Sequence, residues 1–428
     1  MILLGILLLL VLIGLGWPVG FAIGIAGLLC LYELVGLQIT HGLISQVVYH
    51  ATANYVILTI PAFILMAEIL SVGGIADDLM IACNRRFRNI RGGLASACVI
   101  AGSVFAAACG SSTAAVASLA RSSYPTMKKL GYIDGFSVAT ISITGTLSIL
   151  IPPSIALVVY GIITEESVGK LFLAGVIPGL ITALGYILTI YISIVFKPDL
   201  APAIANVKTT TNDEKATTGN IWPILILIVG VLFSLYSGLA TPTEVGAIGA
   251  LGALIICSLM YRINFKGLTV ALGNTLKNTC MIVTIIFGAL IFGHFITLSQ
   301  TIPSLLEWIS NSGLTPLWVL IAVIVFYIIL GMFMDQFAIL LLTVPITYEL
   351  LTNLGFDGIW LGILIVKTAE IGLITPPMGL NVFIAAGATG VNTKRVFQFS
   401  WPFVVVEILI ICLFVAVPEL VTWLPDRM

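Results

Sequence analysis

Two proline pairs, Pro152-Pro153 and Pro376-Pro377, each interrupt a hydrophobic segment, and they stand 224 residues apart in a chain of 428. Proline removes a backbone N–H, and its ring collides with the preceding helical turn. Inside a bilayer such a break survives only where the freed backbone groups find partners in the protein or line a water-filled cavity. Paired breaks at corresponding points of two halves are the pattern of a secondary transporter with its ion or substrate site near the midplane.

The segments around the breaks require a membrane. Hydrophobic residues make up 60% of the chain and charged ones 9%, more apolar surface than a soluble domain can bury. Apolar runs fall near 2–15, 18–35, 56–80, 92–128, 133–164, 170–195, 221–236, 243–260, 280–298, 316–353, 357–389 and 396–422. About 20 apolar residues span a bilayer, so the expected fold class is an all-α polytopic membrane protein. A net charge of -1 gives no reason to expect a nucleic-acid partner. The seven cysteines lack CxxC spacing and read as packing residues. The start, Met1-Ile2-Leu3-Leu4, lacks the basic region and cleavage site of a signal peptide and reads as a retained transmembrane helix.

The two halves look related. Adding 224 carries Pro18 to Pro242, Leu130-Gly131 to Leu354-Gly355, Lys170 to Lys394 and Pro178 to Pro402. This predicts a first repeat over 1–195, a polar cytoplasmic linker over 196–220 and a second repeat over 221–428. Arg85, Arg86, Arg88 and Arg91 precede segment 92–128, and Lys128-Lys129 follow it. The positive-inside rule then puts both its ends in the cytoplasm. A segment that enters and leaves on one side is a re-entrant hairpin, here turning near Cys109-Gly110-Ser111-Ser112-Thr113. Its counterpart, 316–353, has no Lys or Arg near either end and reads as a hairpin from the opposite face. Each half then holds five full spans, one hairpin (about 92–128 and about 316–353) and one broken helix (about 133–164 and about 357–389). The odd span count makes the repeats inverted in topology. Segments 38–55 and 262–279 are more polar. They read either as amphipathic arms along the membrane surface or as extensions of the neighbouring spans.

Chemistry concentrates at the hairpin tips and the breaks. The first tip offers the hydroxyls of Ser111, Ser112 and Thr113 among small residues, and Thr144-Gly145-Thr146-Leu147-Ser148 precedes the first break. Hydroxyls and free carbonyls are hard oxygen ligands without net charge, suited to Na⁺ or to a substrate carboxylate. The alternative is small-residue packing with back-bonded hydroxyls. At the second tip stands Asp335, an acid inside an apolar hairpin and therefore costly. It can sit beside a cation, carry a proton or hold the tip by accepting backbone N–H bonds; the first use is the one we expect. Around the second break, Gly372, Thr375 and Met378 can turn carbonyls and a hydroxyl toward an ion, while Asn381 offers an amide to substrate or to the hairpin. Lys367 and Glu370 are three apart on one helical face and can pair. That pair serves either structure or substrate binding. No long polar stripe supports a channel, and no paired nucleophile and base supports an enzyme.

These residues resemble the large membrane subunit of tripartite ATP-independent periplasmic (TRAP) transporters, the DctM family. The likeness covers nearly the whole chain. It is carried by Ile60-Pro61-Ala62-Phe63, Cys109-Gly110-Ser111-Ser112, Ile151-Pro152-Pro153-Ser154, Ala240-Thr241-Pro242-Thr243-Glu244, Gly331-Met332-Phe333-Met334-Asp335 and Gly372-Leu373-Ile374-Thr375-Pro376-Pro377-Met378-Gly379-Leu380-Asn381. The resemblance implies an elevator-type, Na⁺-coupled importer of organic acids in the bacterial inner membrane. It implies two partners, a small four-helix membrane subunit and a periplasmic substrate-binding protein. It also implies two Na⁺ sites. Gly331, Gly372, Thr375 and Met378, with Asp335 near by, make the second; Ala107, Ser148, Ile151 and Ser154, with Ser111 and Ser112, make the first. Substrate would meet Ser112, Thr113, Gly145, Thr146, Lys367 and Asn381. Family members that import sialic acid often carry a Ser-Gly-Ser-Ala tip followed by Asp. The tip here departs from that, which leaves C4-dicarboxylates, 2-oxo acids or other carboxylates.

Overall fold

The computed structural model describes residues 2–87, 90–201, 222–260 and 262–427. Most of the expected linker, 202–220, and Arg88 of the arginine cluster lie outside the described residues. What is described is helical. The first half contains α1 (Ile2–Gly14), α2 (Val19–Ala53), α3 (Thr59–Val72), α4 (Ile75–Phe87), α5 (Gly93–Cys109), α6 (Ser112–Lys129), α7 (Asp134–Leu150), α8 (Ile155–Thr164) and α9 (Val168–Phe196). The second contains α10 (Trp222–Tyr236), α11 (Pro242–Leu259), α12 (Phe265–Leu298), α13 (Thr301–Asn311), α14 (Pro316–Gly331), α15 (Gln336–Asn353), α16 (Gly358–Ile374), α17 (Leu380–Thr389), α18 (Thr393–Ala416) and α19 (Glu419–Thr422).

Six helical stretches among the described residues are long and apolar enough to cross a membrane, and the bent pair α7–α8, at 41°, makes a seventh. The chain is a polytopic membrane protein. Helices α1 and α10, expected as full spans, have only 13 and 15 residues, short of the ~20 that a bilayer core needs.

One boundary differs from expectation: the run 56–80 is two helices, α3 and α4, meeting at Gly73-Gly74; Gly74 takes φ +71. The two more polar segments divide between their two readings. Segment 38–55 follows a break, because Gly36 (φ 78) is non-helical and α2 is two helices joined by a kink there. Segment 262–279 extends its neighbouring span, because α12 runs unbroken for 34 residues. At 1.5 Å per residue that is about 50 Å, well beyond the bilayer core.

Element bounds recur along the chain. Moving α15 and α16 back by 224 gives 112–129 and 134–150, the bounds of α6 and α7, and α14, α17 and α18 fall within a few residues of α5, α8 and α9. Both Pro-Pro peptide bonds are cis. Helix α2 packs on α12, and α3 on both α11 and α12, forming a frame. Within the rest, each hairpin packs on the broken helix of its own half: α5 and α6 on α7, α14 and α15 on α16. The short helix after each break crosses to the other half, α8 against α15 and α17 against α6. Helices α7 and α16 lie innermost, buried on every face from Gly135 to Leu150 and from Trp360 to Ile374. An ion pair between Asp78 of α4 and Arg262, just before α12, fastens the approach to the first hairpin to the frame.

Candidate functional site: two hairpin tips facing two helix breaks

The first hairpin turns at Gly110, whose φ of +61 glycine adopts without a side-chain clash. Its tip seats on the first break: a Cβ on Gly110 would lie 3.0 Å from Ile155 and 3.3 Å from the Pro153 carbonyl oxygen. Below the tip, Gly145 lets α7 approach α6, since a Cβ there would be 3.1 Å from the Ser112 carbonyl oxygen. Ser111 and Thr113 share a hydrogen bond of 3.2 Å. Ser112 is buried at the start of α6. The Ser148 hydroxyl donates to the Gly145 carbonyl at 2.6 Å, and Ser154 caps α8 by accepting from the Leu157 N–H. Ile151 ends α7 and packs under Gly179 of α9. Ala107 is buried near the end of α5. All six residues expected of the first cation site therefore lie at the tip or at the break it touches.

The second unit is built on glycine against glycine. A Cβ on Gly331 would lie 2.5 Å from the Ala369 oxygen and 2.8 Å from Gly372 Cα, and one on Gly372 would run into the Gly331 backbone. Only a pair of glycines lets the end of α14 rest there on α16. The Thr375 hydroxyl donates to the Ile371 carbonyl. Met378 is half exposed, and Gly379 takes φ +55 at the start of α17. Asp335 does what the sequence reading ranked lower: its carboxylate caps α15 by accepting from the Phe337 N–H at 3.1 Å. A carboxylate at a helix N-terminus meets both free N–H groups and the positive end of the dipole.

At both breaks the available donors are hydroxyls and backbone carbonyls. Ser148 and Thr375 each spend their proton on a carbonyl, which leaves hydroxyl lone pairs free to accept a cation. The ends of α5, α7, α14 and α16 meet there, each with last-turn carbonyls that its own helix cannot satisfy. This donor set fits a hard monovalent cation such as Na⁺. Among the described residues no group of three or more His, Cys, Asp or Glu could hold a metal ion.

The expected substrate residues divide. Ser112, Thr113 and Gly145 line the first tip. Asn381 is fully buried on α17, which packs on α6 and α7, and neither its Oδ1 nor its Nδ2 has a hydrogen-bond partner. Thr146 and Lys367 are elsewhere, on the sides of α7 and α16 that face α9 and α18. Lys367 does not pair with Glu370. Its ammonium binds Glu407 of α18 at 2.8 and 2.6 Å, and Tyr186 of α9 donates to the same carboxylate. The spacing of three between Lys367 and Glu370 allowed a pair, but the α18 carboxylate sits closer. Both oxygens of Glu370 are buried without a hydrogen-bond partner, as is Nε2 of Gln336 beside the second tip. Glu407 and Tyr186 escaped the sequence reading. The signal for Glu407 was the one that exposed Asp335, an acid alone in an apolar run.

A cavity of about 580 Å³ opens between the α8–α9 and α10–α11 turns, lined by Glu165, Ser167 and Thr241 among others. None of the expected site residues lines it.

Paired tip-and-break units in a polytopic helical protein define a membrane carrier. The chain belongs to the DctM family: residues 6–420 match the description "Tripartite ATP-independent periplasmic transporter, DctM component". It is thus a transporter permease and not an enzyme. It is 35% identical over 379 residues to the C4-dicarboxylate TRAP transporter large permease protein DctM of Pseudomonas aeruginosa, covering 88% of each chain. It is 34% identical to the protein of the same name from Vibrio cholerae, covering 96% of this chain and 94% of that one. The fold also resembles the crystal structure of the Alcanivorax borkumensis YdaH transporter, with a TM-score of 0.67 over 92% of this chain and 91% of that one. At 13% identity that likeness concerns the fold alone.

Proposed function

We propose that this protein is the large permease of a Na⁺-coupled importer of organic acids, C4-dicarboxylates first among them, in the bacterial inner membrane. The observation that carries the reading is the repeated unit of a hairpin tip seated on a helix break, with oxygen donors and no dense charge at either break. The matching element bounds at an offset of 224 support two repeats, and the arginine and lysine flanks of the first hairpin, which the second lacks, support their inverted topology. Inverted repeats supply two arrangements of nearly equal energy, one open to each face. Elevator movement of α5–α9 and α14–α18 against the frame of α2, α3, α11 and α12 is the motion that such a division supports.

Na⁺ at the two breaks would be held by carbonyls and hydroxyls of Ala107, Ser111, Ser112, Ser148, Ile151 and Ser154, and of Gly331, Gly372, Thr375 and Met378. Bound there, it supplies positive charge that offsets the substrate's carboxylates and links uptake to the ion gradient. Asp335 contributes by fixing the second tip. Ser112, Thr113 and the unpartnered Asn381 amide supply hydrogen bonds to substrate carboxylate, and the N-termini of α6 and α8 add their positive ends. The family description as tripartite supports two partners: a small four-helix membrane subunit and a periplasmic binding protein that delivers substrate.

The test is uptake by proteoliposomes containing the permease and its small subunit. Radiolabelled succinate should enter only when the binding protein is added, and excess unlabelled C4-dicarboxylate should compete. Uptake that ignores the binding protein, or that no C4-dicarboxylate reduces, overturns the reading.

A further inference from the structure

Two buried side chains that the transport reading leaves unused tie the two broken helices together. Thr146 lies on α7, five residues before Ile151 at the first break, and its hydroxyl is 2.8 Å from that of Tyr186 on α9. The Tyr186 hydroxyl donates to Oε1 of Glu407 on α18. The same carboxylate holds Nζ of Lys367, which lies on α16 eight residues before Thr375 at the second break. Lys367 also sits over the Tyr186 ring, 5.8 Å from its centroid. All four side chains are at most 1% exposed.

The chain ends on Glu407, whose carboxylate only accepts, so Tyr186 and the Lys367 ammonium both donate to it. The Thr146 hydroxyl also lies 2.7 Å from the Ile143 carbonyl oxygen, and its single proton is shared between that carbonyl and Tyr186. Neighbouring hydrogen bonds polarise one another in a buried site. The four helices also pack directly: α7 on α9 and α18, and α16 on α9 and α18. Sliding α7 past α16 would leave a buried hydroxyl or one member of a buried ion pair without its partner. That loss costs more than the bonds themselves contribute.

We propose that Tyr186 and Glu407 are positioning residues that hold the two breaks in a fixed relation, so that a cation bound at one sets the shape of the other and Na⁺ binds cooperatively. The inference rests on the two-site reading above. Neither residue touches ion or substrate; each acts through Thr146 or Lys367.

The experiment follows the melting temperature of the purified permease with its small subunit as NaCl replaces choline chloride at constant ionic strength. A ligand that binds the folded state raises the melting temperature according to its affinity. The wild type should give a sigmoid rise. Tyr186→Phe removes one hydroxyl and keeps the ring and the ion pair. It should melt somewhat lower than the wild type in choline, because Glu407 loses a buried donor, and in addition need about threefold to tenfold more Na⁺ with a flatter curve, the size expected for loss of one buried hydrogen bond. Thr146→Val should give the same shift, the double variant no more than either single one, and Thr146→Ser the wild-type curve. If Tyr186→Phe lowers the melting temperature in choline and leaves the Na⁺ curve unchanged, the network is only a strut and the proposal fails. A wild-type response to Na⁺ that Tyr186→Phe leaves intact fails it too. No wild-type response at all removes the two-site reading and this inference with it.

Discussion

Replacing Gly372 with alanine should unseat the second hairpin, while the same change at Gly387 should not. A methyl on Gly372 would collide with the Cα and carbonyl carbon of Gly331 and lie 2.7 Å from the Ile328 oxygen. All of these are backbone atoms of α14, so no rotamer change relieves them and the end of the hairpin arm must retreat by about 1 Å. Overpacking of this kind costs about 1–3 kcal/mol, and backbone on the opposing side puts Gly372 at about 3 kcal/mol. Alanine's better helix propensity returns roughly 1 kcal/mol, for a net loss of about 2 kcal/mol. Around Gly387 on α17 nothing lies within 4 Å of the added Cβ, so only the gain of about 0.5–1 kcal/mol remains. Thermal unfolding of the purified variants in one detergent measures the difference, about 3 kcal/mol between them by this reckoning. Gly372→Ala should also weaken stabilisation by Na⁺, because α14 and α16 no longer meet. Refutation is simple: Gly372→Ala melting at or above Gly387→Ala would show that the glycine contact does not hold the tip.

Three further outcomes are expected. Lys367→Met leaves Glu407 buried with Tyr186 alone and should destabilise by about 3–5 kcal/mol, whereas Lys367→Met with Glu407→Leu should recover most of that loss; a double variant as unstable as the single one contradicts the pairing. Asp335→Ala should cost about 0.5–2 kcal/mol through loss of the α15 cap, read by the same unfolding assay, and Asp335→Asn should cost clearly less, since asparagine caps nearly as well. Thr375→Ala should raise the Na⁺ concentration for half-maximal uptake without reducing the amount of protein in the membrane; an unchanged Na⁺ dependence excludes its hydroxyl from the site.

Much of the architecture is legible in the chain because membrane helices obey local rules. Proline pairs mark the breaks at Ile151 and Thr375, arginines flank the first hairpin, and the offset of 224 anticipates element bounds that coincide at α6 with α15 and at α7 with α16. What escaped is what depends on distance between helices. Spacing along α16 allowed Lys367 to meet Glu370, but only the packing of α18 shows that Glu407 takes that place. Segment 262–279 differs in composition from the span after it, yet no glycine or proline lies at the junction, and the helix simply continues through α12. At 38–55 Gly36 supplies the kink. For the candidate site the residue types were readable and their partners were not: Asp335 was visible as a costly acid, and its service as a helix cap needed the turn geometry.

Coupling of uptake to Na⁺ through carbonyls and hydroxyls at the two breaks can be measured in proteoliposomes holding the complete three-part system, loaded without Na⁺ and given either an inward Na⁺ gradient or an inward proton gradient. Succinate should accumulate with the Na⁺ gradient and not at all in Na⁺-free buffer, whatever the proton gradient. Full accumulation driven by protons alone would contradict that coupling.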